Sequence, residues 1–230
     1  MQSPTEAPSV PDAFRPEVKR DSLVVLVTDI RGSTQALQQC PDEDHRRFLS
    51  GFCDLTDESL RAWTSDKTAY HINAFLGDGF LAFLCDINIK GQPVSLNSGA
   101  LSAAIHAAAD MRKRFRRWCD TIARELGHAK PALRKDFQGM DLVAGLTFGE
   151  IPYGRFTSLQ HLPSTGIGED VLKTFRLAQS AQGGEILITE EAYRVLERQS
   201  FRVSQKALPN VRGFPNGISC YSVFPRSIKR

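Results

Sequence analysis

No apolar run in the sequence is long enough to cross a bilayer, and the opening segment MQSPTEAPSVPDAFRPEVKR lacks the apolar stretch of a signal peptide. The expectation is a soluble, cytoplasmic protein. Cysteine is sparse: Cys40, Cys53, Cys85, Cys119 and Cys220 are odd in number and scattered without C-x-x-C spacing. That pattern argues against a disulfide framework and against a zinc site, so the thiols are expected to be reduced. Charge is nearly balanced, with 29 Lys and Arg against 26 Asp and Glu and a net charge of +3. So small an excess demands no nucleic-acid partner, although a cleft for a polyanion such as a triphosphate would suit it. What remains, 41% apolar and 24% charged over 230 residues, fits one globular domain with short appendages. The expected division is a loose, proline-bearing tail over 1–20, a domain over 21–226 and a short tail over 227–230.

The chain is organised around Leu23 to Thr34, LVVLVTDIRGST. A β-branched apolar run ends in a lone carboxylate, Asp29, followed by Gly32, Ser33 and Thr34. This reads as a buried strand that delivers an acid into a turn, with Ser33 or Thr34 capping the helix that QALQQ begins. Asp29 could hold a cation there, with amide N–H groups for phosphate, although an ordinary capped turn uses the same residue types. A second acid follows the same plan. Between Thr68 and Asp86, two aromatic-rich segments flank Leu76-Gly77-Asp78-Gly79, the form of a tight hairpin that exposes one carboxylate. Side by side in one sheet, Asp29 and Asp78 would make a two-carboxylate site for divalent ions.

Between these blocks, Phe48, Leu49, Phe52, Leu55, Leu60 and Trp63 recur at helical spacing, giving one or two amphipathic helices to about residue 65. Residues 90–99 read as a loop and Ser98 to Gly127 as a long helix. Its basic run MRKRFRRW, Met111 to Trp118, sets Phe115 and Trp118 on the apolar stripe and the cations on a solvated face. KPALRKDFQGM reads as a loop with a turn at Gly139, DLVAGLTF as a strand, and EIPYG as a second short segment between Gly149 and Gly154. A helix over Glu169 to Ala181, the strand EILIT, a helix begun by Thr189, and a final loop and strand complete the order. Because one adjacent strand pair is joined by a tight hairpin, a purely doubly wound sheet is excluded. A ferredoxin-like α+β sandwich with extra hairpins is favoured.

Four blocks, VTDIRGST, FLGDGFLAF, VAGLTFGEIPYG and GIGEDVLKTFRLAQSAQGGEILITEEAYRVL, in this order resemble the class III nucleotidyl cyclase catalytic domain, over roughly residues 22–224. The resemblance implies a ferredoxin-like core and a head-to-tail homodimer with each active site across the interface. It implies two divalent cations, Mn²⁺ or Mg²⁺, on Asp29, Asp78 and the carbonyl of Ile30. Arg31, Gly32, Ser33 and Thr34 would wrap the substrate phosphates, beside Gly77 of the hairpin. Arg176 matches the arginine that steadies transition-state charge from the other subunit, and Arg212 matches a basic residue at the terminal phosphates. The product would be a 3′,5′-cyclic nucleotide.

Three positions depart from the family pattern. Leu172 stands where an asparagine usually orients the ribose, Ala74 replaces the purine-reading lysine, and the usual partner acid falls at Thr165. With both metal acids and the arginine kept, the chain resembles the pyrimidine cyclases of bacterial Pycsar anti-phage systems, which make cyclic UMP or cyclic CMP to activate a separate effector. Ala74, Phe75 and Thr165 would line the base pocket, with UTP favoured over CTP. The competing readings are an adenylate or guanylate cyclase with a substituted pocket and an inactive nucleotide-sensing module. Nucleic-acid binding through MRKRFRRW stands last.

Overall fold

The computed structural model describes residues 18–88, 97–126, 131–156 and 164–226. The expected tails over 1–17 and 227–230, the centre of the expected 90–99 loop and the end of the long helix at Gly127 lie outside these residues. The elements run β1 (Lys19–Arg31), α1 (Ser33–Gln38), α2 (Asp42–Trp63), β2 (Thr68–Phe75), β3 (Gly79–Asp86), α3 (Ser98–Leu126), α4 (Pro131–Gly139) and β4 (Asp141–Gly154). The chain continues with β5 (Thr165–Gly166), α5 (Glu169–Ser180), β6 (Ile186–Thr189), α6 (Glu190–Val195), β7 (Phe201–Leu208) and β8 (Ile218–Pro225). One sheet has the order β2-β3-β1-β4-β6-β8-β7, with β5 paired to β4. Its first four strands are mutually antiparallel, and with α1 and α2 after β1 and α3 after β3 they form the expected ferredoxin-like unit. The chain then extends the sheet through β6, parallel to β4, and the antiparallel β8 and β7.

Strand alternation divides the core in two. Val24, Leu26 and Ile30 of β1 join Phe48, Phe52, Leu101, Ile105 and Phe115 beneath α2 and α3. Leu23, Val25 and Val27 point the other way, with Leu81, Phe83, Tyr153, Val171 and Ala178, where α5 packs. Gly145, opposite Val27, allows that packing: a Cβ there would lie 2.4 Å from the Thr174 carbonyl oxygen and 2.6 Å from the Ala178 nitrogen. Gly145→Ala must push α5 off the sheet, and we expect a loss of about 3 kcal/mol in urea-unfolding stability. An unchanged midpoint and slope would show that α5 does not need this close approach.

Four expectations are corrected. KPALRKDFQGM is not a loop: Pro131 opens α4, and Leu133 and Phe137, one turn apart, are buried against the α2–α3 core. EIPYG is not a separate segment but the end of a continuous β4 that pairs with β1 from Asp141 to Tyr153. The first strand begins at Lys19, so residues 19 and 20 belong to the sheet rather than to a tail. Finally, β7 has no counterpart in the sequence reading. Only Phe201 of its eight residues is fully buried, as befits an edge strand rich in Arg, Ser, Gln and Lys.

Two arginines of the basic run on α3 are engaged within the fold, while Lys113, Arg116 and Arg117 are exposed. Arg112 donates two hydrogen bonds to Asp141 at 2.8 and 2.7 Å, and Arg114 reaches Asp110 and Glu58, each at 2.8 Å. Met111 and Phe115 are fully buried. No described helix is long and apolar enough to cross a membrane.

Candidate active site

β1 lies between β3 and β4, with Asp29 opposite both Gly79 and Val143. A Cβ at Gly79 would sit 2.2 Å from the Thr28 carbonyl oxygen, so only glycine lets the β2–β3 hairpin close this tightly on β1. The hairpin turn, held by the Leu76 N–H donating to the Gly79 carbonyl at 2.7 Å, thereby carries Asp78 to the end of β1 beside Asp29. The Ser33 hydroxyl is 3.0 Å from the Ile30 carbonyl oxygen and hydrogen-bonds the Asp78 carboxylate. Asp29 and Asp78 thus lie at neighbouring strand ends, and Ser33 links the Asp78 carboxylate to the Ile30 carbonyl. Burial pushes the Asp29 carboxyl above the ordinary aspartate pKa, Arg31 opposes the shift, and Asp78 adds to it.

These residues fit a hard divalent cation. The donors are all oxygen, and a cation would compensate the burial that raises Asp29 and the smaller repulsion from Asp78. Among the described residues no group of three or more His, Cys, Asp or Glu side chains is arranged for a metal. Two carboxylates and a carbonyl leave positions for phosphate oxygens and water, as magnesium sites do.

The segment expected to wrap the phosphates differs from expectation in its details. Gly32, at φ 81°, is the N-cap of α1, and neither Ser33 nor Thr34 caps it; the Ser33 hydroxyl is used on Ile30 and Asp78 instead. Thr34 is exposed. The Arg31 guanidinium turns towards α5, ion-paired to Asp29 at 2.7 Å and donating to the carbonyls of Ala178 at 2.6 Å and Ala181 at 3.2 Å. Gly77 is exposed in the hairpin turn at φ 78°.

Arg176 does not meet the acids within one chain. Phe175, Ala178 and Gln179 of α5 close a small pocket of about 160 Å³ over Asp29. Leu172, Lys173 and Arg176 face a separate cleft of about 830 Å³ with Arg212 and Asn216 on its far wall. At about 100° per residue these are adjacent faces of the same helix. Arg176 is fixed by donating to the Arg212 carbonyl at 3.1 Å and to Gln179 Oε1 at 2.7 Å. Leu172 projects into the cleft region 58% exposed.

Further along the sheet, Ala74 lies on the α5 side and Phe75 does not, while Thr165 sits on β5 opposite Gly154 of β4. Ala74 pairs with Leu81, which belongs to the α5-side core, whereas Phe75 pairs with Phe80 and packs edge-on to Phe52 at 6.4 Å in the opposite core. Phe75 therefore turns away from Thr165, contrary to its place in the expected base pocket. The sequence reading missed Asn73, which replaces it as a neighbour: its Nδ2 donates to the Ser164 carbonyl at 2.6 Å and its Oδ1 accepts from Thr165 at 3.1 Å. A polar residue at a period break in an apolar strand was the available signal. Gln179 and Asn216 were also missed, and nothing local in the sequence marks them.

A ferredoxin-like unit with two convergent acids on adjacent strand ends and an arginine-lined cleft on the neighbouring helix defines a catalytic domain of the nucleotide cyclase type. The chain belongs to the adenylate and guanylate cyclase catalytic domain family, whose model matches residues 16–224. Among solved structures, the adenylyl cyclase CyaB from P. aeruginosa overlays at a TM-score of 0.75 with 22% identity, covering 93% of this chain and 99% of that chain. The guanylyl cyclase Cya2 gives 0.70 at 18% identity over 92% and 95%. The guanylate cyclase domain of RhGC from Catenaria anguillulae, in complex with GTP, gives 0.67 at 17% identity over 91% and 100%. Likeness at this identity speaks for the fold. No curated protein matches the sequence.

Proposed function

We propose that the chain is a metal-dependent pyrimidine nucleotide cyclase, converting UTP, with CTP the alternative substrate, into the 3′,5′-cyclic nucleotide and pyrophosphate. The observation that carries the cyclase reading is the convergence of Asp29, Asp78 and the Ile30 carbonyl on one corner. These groups would hold two divalent cations, Mn²⁺ or Mg²⁺, which when bound lower the pKa of the ribose 3′-hydroxyl and neutralise the leaving pyrophosphate. The 3′-oxygen forms a bond to the α-phosphorus, the bond to the bridging oxygen breaks, and the hydroxyl proton passes to water. Gly32, Ser33 and Thr34 would contact the triphosphate, and Arg31 would join them on leaving its contacts with α5. Arg176, held by Gln179 and the Arg212 carbonyl, would bind the α-phosphate oxygens of a substrate whose metals sit on a second copy, while Arg212 takes the terminal phosphates.

The separation of Arg176 and the acids onto adjacent faces of α5 supports a homodimer. Exposed Ile167 and Leu172 at the start of that helix and Leu76 beside the acid hairpin supply apolar surface for a second copy to cover. Ala74 supports the pyrimidine reading, since no side chain there reaches a purine edge. By likeness to Pycsar cyclases, the cyclic nucleotide would act in anti-phage defence through a separate effector in the cytoplasm.

A second reading is a purine cyclase with an altered pocket, favoured by structural neighbours described as adenylyl and guanylyl cyclases. Product analysis with ATP, GTP, CTP and UTP in Mn²⁺ decides between them. A cyclic pyrimidine supports the proposal, a cyclic purine replaces the substrate and removes the defence role, and binding without product points to an inactive sensing module.

A further inference from the structure

We infer that Asn73, acting with Thr165 as one hydrogen-bonded pair, is the group that reads the nucleobase edge. The inference rests on the cyclase reading and adds to it a residue that neither Ala74 nor Phe75 supplies. The register of β2 against β3 jumps between Ile72, opposite Ala82, and Ala74, opposite Leu81, so Asn73 is the extra residue of a β-bulge. A bulge redirects a side chain out of the strand's alternation. Asn73 is left without a partner on β3, and its carboxamide bonds Ser164 and Thr165 instead.

The hydrogen bonds fix which way that amide faces. The Ser164 carbonyl can only accept, so the atom 2.6 Å from it is the nitrogen, and the oxygen is the atom that accepts from Thr165 at 3.1 Å. Thr165 has one hydroxyl proton and gives it to Asn73, so towards a ligand it offers lone pairs alone. Asn73 keeps one N–H and one lone pair. Together they present adjacent donor and acceptor groups in a fixed order, the complement of a Watson–Crick edge. Uracil carries such a couple in N3–H and O4, and cytosine carries it in the opposite order in N3 and its amine, so a fixed order distinguishes the two.

The position is also right. Ala74, Leu81 and Val27 form one row across β2, β3 and β1 on the α5 face, and Asp29 is two residues further along β1 on that face. Strand spacings put Asp29 about 12 Å from the Ala74 end of the row. The base reader and the acids therefore share the face that two copies would enclose.

The test measures kcat/KM for ATP, GTP, CTP and UTP, with their dissociation constants by calorimetry, for the full chain and for Asn73→Ala, Asn73→Asp and Thr165→Val. Asn73→Ala and Thr165→Val are each expected to raise KM for the preferred triphosphate by about tenfold and leave the others within about twofold, flattening the preference. Asn73→Asp, which removes the N–H donors, is expected to weaken the preferred base as much as alanine does. An equal fall for all four triphosphates, or an unchanged ranking, assigns Asn73 to strand architecture and overturns the inference. Thermal midpoints separate misfolding from altered recognition, and a variant that fails to fold leaves the other two to decide. A wild-type chain that cyclises nothing overturns the cyclase reading, and the ranking of dissociation constants then decides Asn73 by itself.

Discussion

Asp78→Asn is expected to lower cyclic nucleotide formation by roughly 10³-fold or more, because a carboxylate that holds a catalytic cation contributes several kcal/mol to the transition state and each 1.4 kcal/mol is about tenfold. The substitution keeps the shape of the side chain and removes only its charge. Asp78 is half-buried in the hairpin turn and is one of the two groups that raise the Asp29 carboxyl, the other being burial. Its neutralisation removes a repulsion from the folded state, so the thermal midpoint should hold or rise while activity collapses. Mn²⁺ affinity, read by electron paramagnetic resonance, should fall in parallel. Asp29→Asn is a less clean probe, since it also strips Arg31 of its ion pair and leaves the guanidinium on two α5 carbonyls. Wild-type turnover in Asp78→Asn would remove the two-acid corner from the mechanism.

That corner was legible in the sequence because each acid sits at a local boundary: an apolar run stopping at Asp29, and a glycine-flanked turn around Asp78. Strand ends and tight turns are encoded by neighbours in sequence. The pairing that brings the two together, Asp29 opposite Gly79, is a long-range contact, and there the order of strands had to come from the family resemblance. The same contrast separates α5, marked by a glycine entry and a clean apolar stripe, from β7, an edge strand with too few buried positions to show a period. Helix α4 was missed for a different reason. Leu133 and Phe137 carry the helical spacing, but nine residues that run from a proline to a glycine also satisfy the pattern of a loop, and only burial against α2 and α3 decides.

The side-chain directions at the site were the least legible. Arg31 adjoins the residues proposed to contact the phosphates, yet its reach is set by carbonyls at the end of α5, about 150 positions later in the chain. Phe75 adjoins Ala74, yet strand alternation places the two on opposite faces, and the bulge at Asn73 decides which face each receives. A one-residue insertion in register is invisible without the partner strand.

The second large effect concerns the division of the site between two copies. Arg176→Ala and Asp78→Asn should each be inactive alone, and an equimolar mixture allowed to exchange subunits should recover about one quarter of wild-type activity. The figure follows from symmetry: roughly half of the mixed dimers are heterodimers, and each holds one site with both defects and one with neither. The physical ground is the geometry of α5. Phe175, Ala178 and Gln179 face the Asp29 pocket, while Leu172, Lys173 and Arg176 face the Arg212 cleft, and Arg176 is tethered there by Gln179 and the Arg212 carbonyl. Bringing Arg176 to a phosphate held at its own Asp29 and Asp78 would mean breaking both hydrogen bonds and turning the side chain around the helix. A second copy docked head to tail needs neither change. Subunit exchange is verified by co-purification of a tagged and an untagged chain. Exchange without recovered activity would place Arg176 and the acids in the same chain's site, and the two faces of α5 would then have to close on one another when substrate binds.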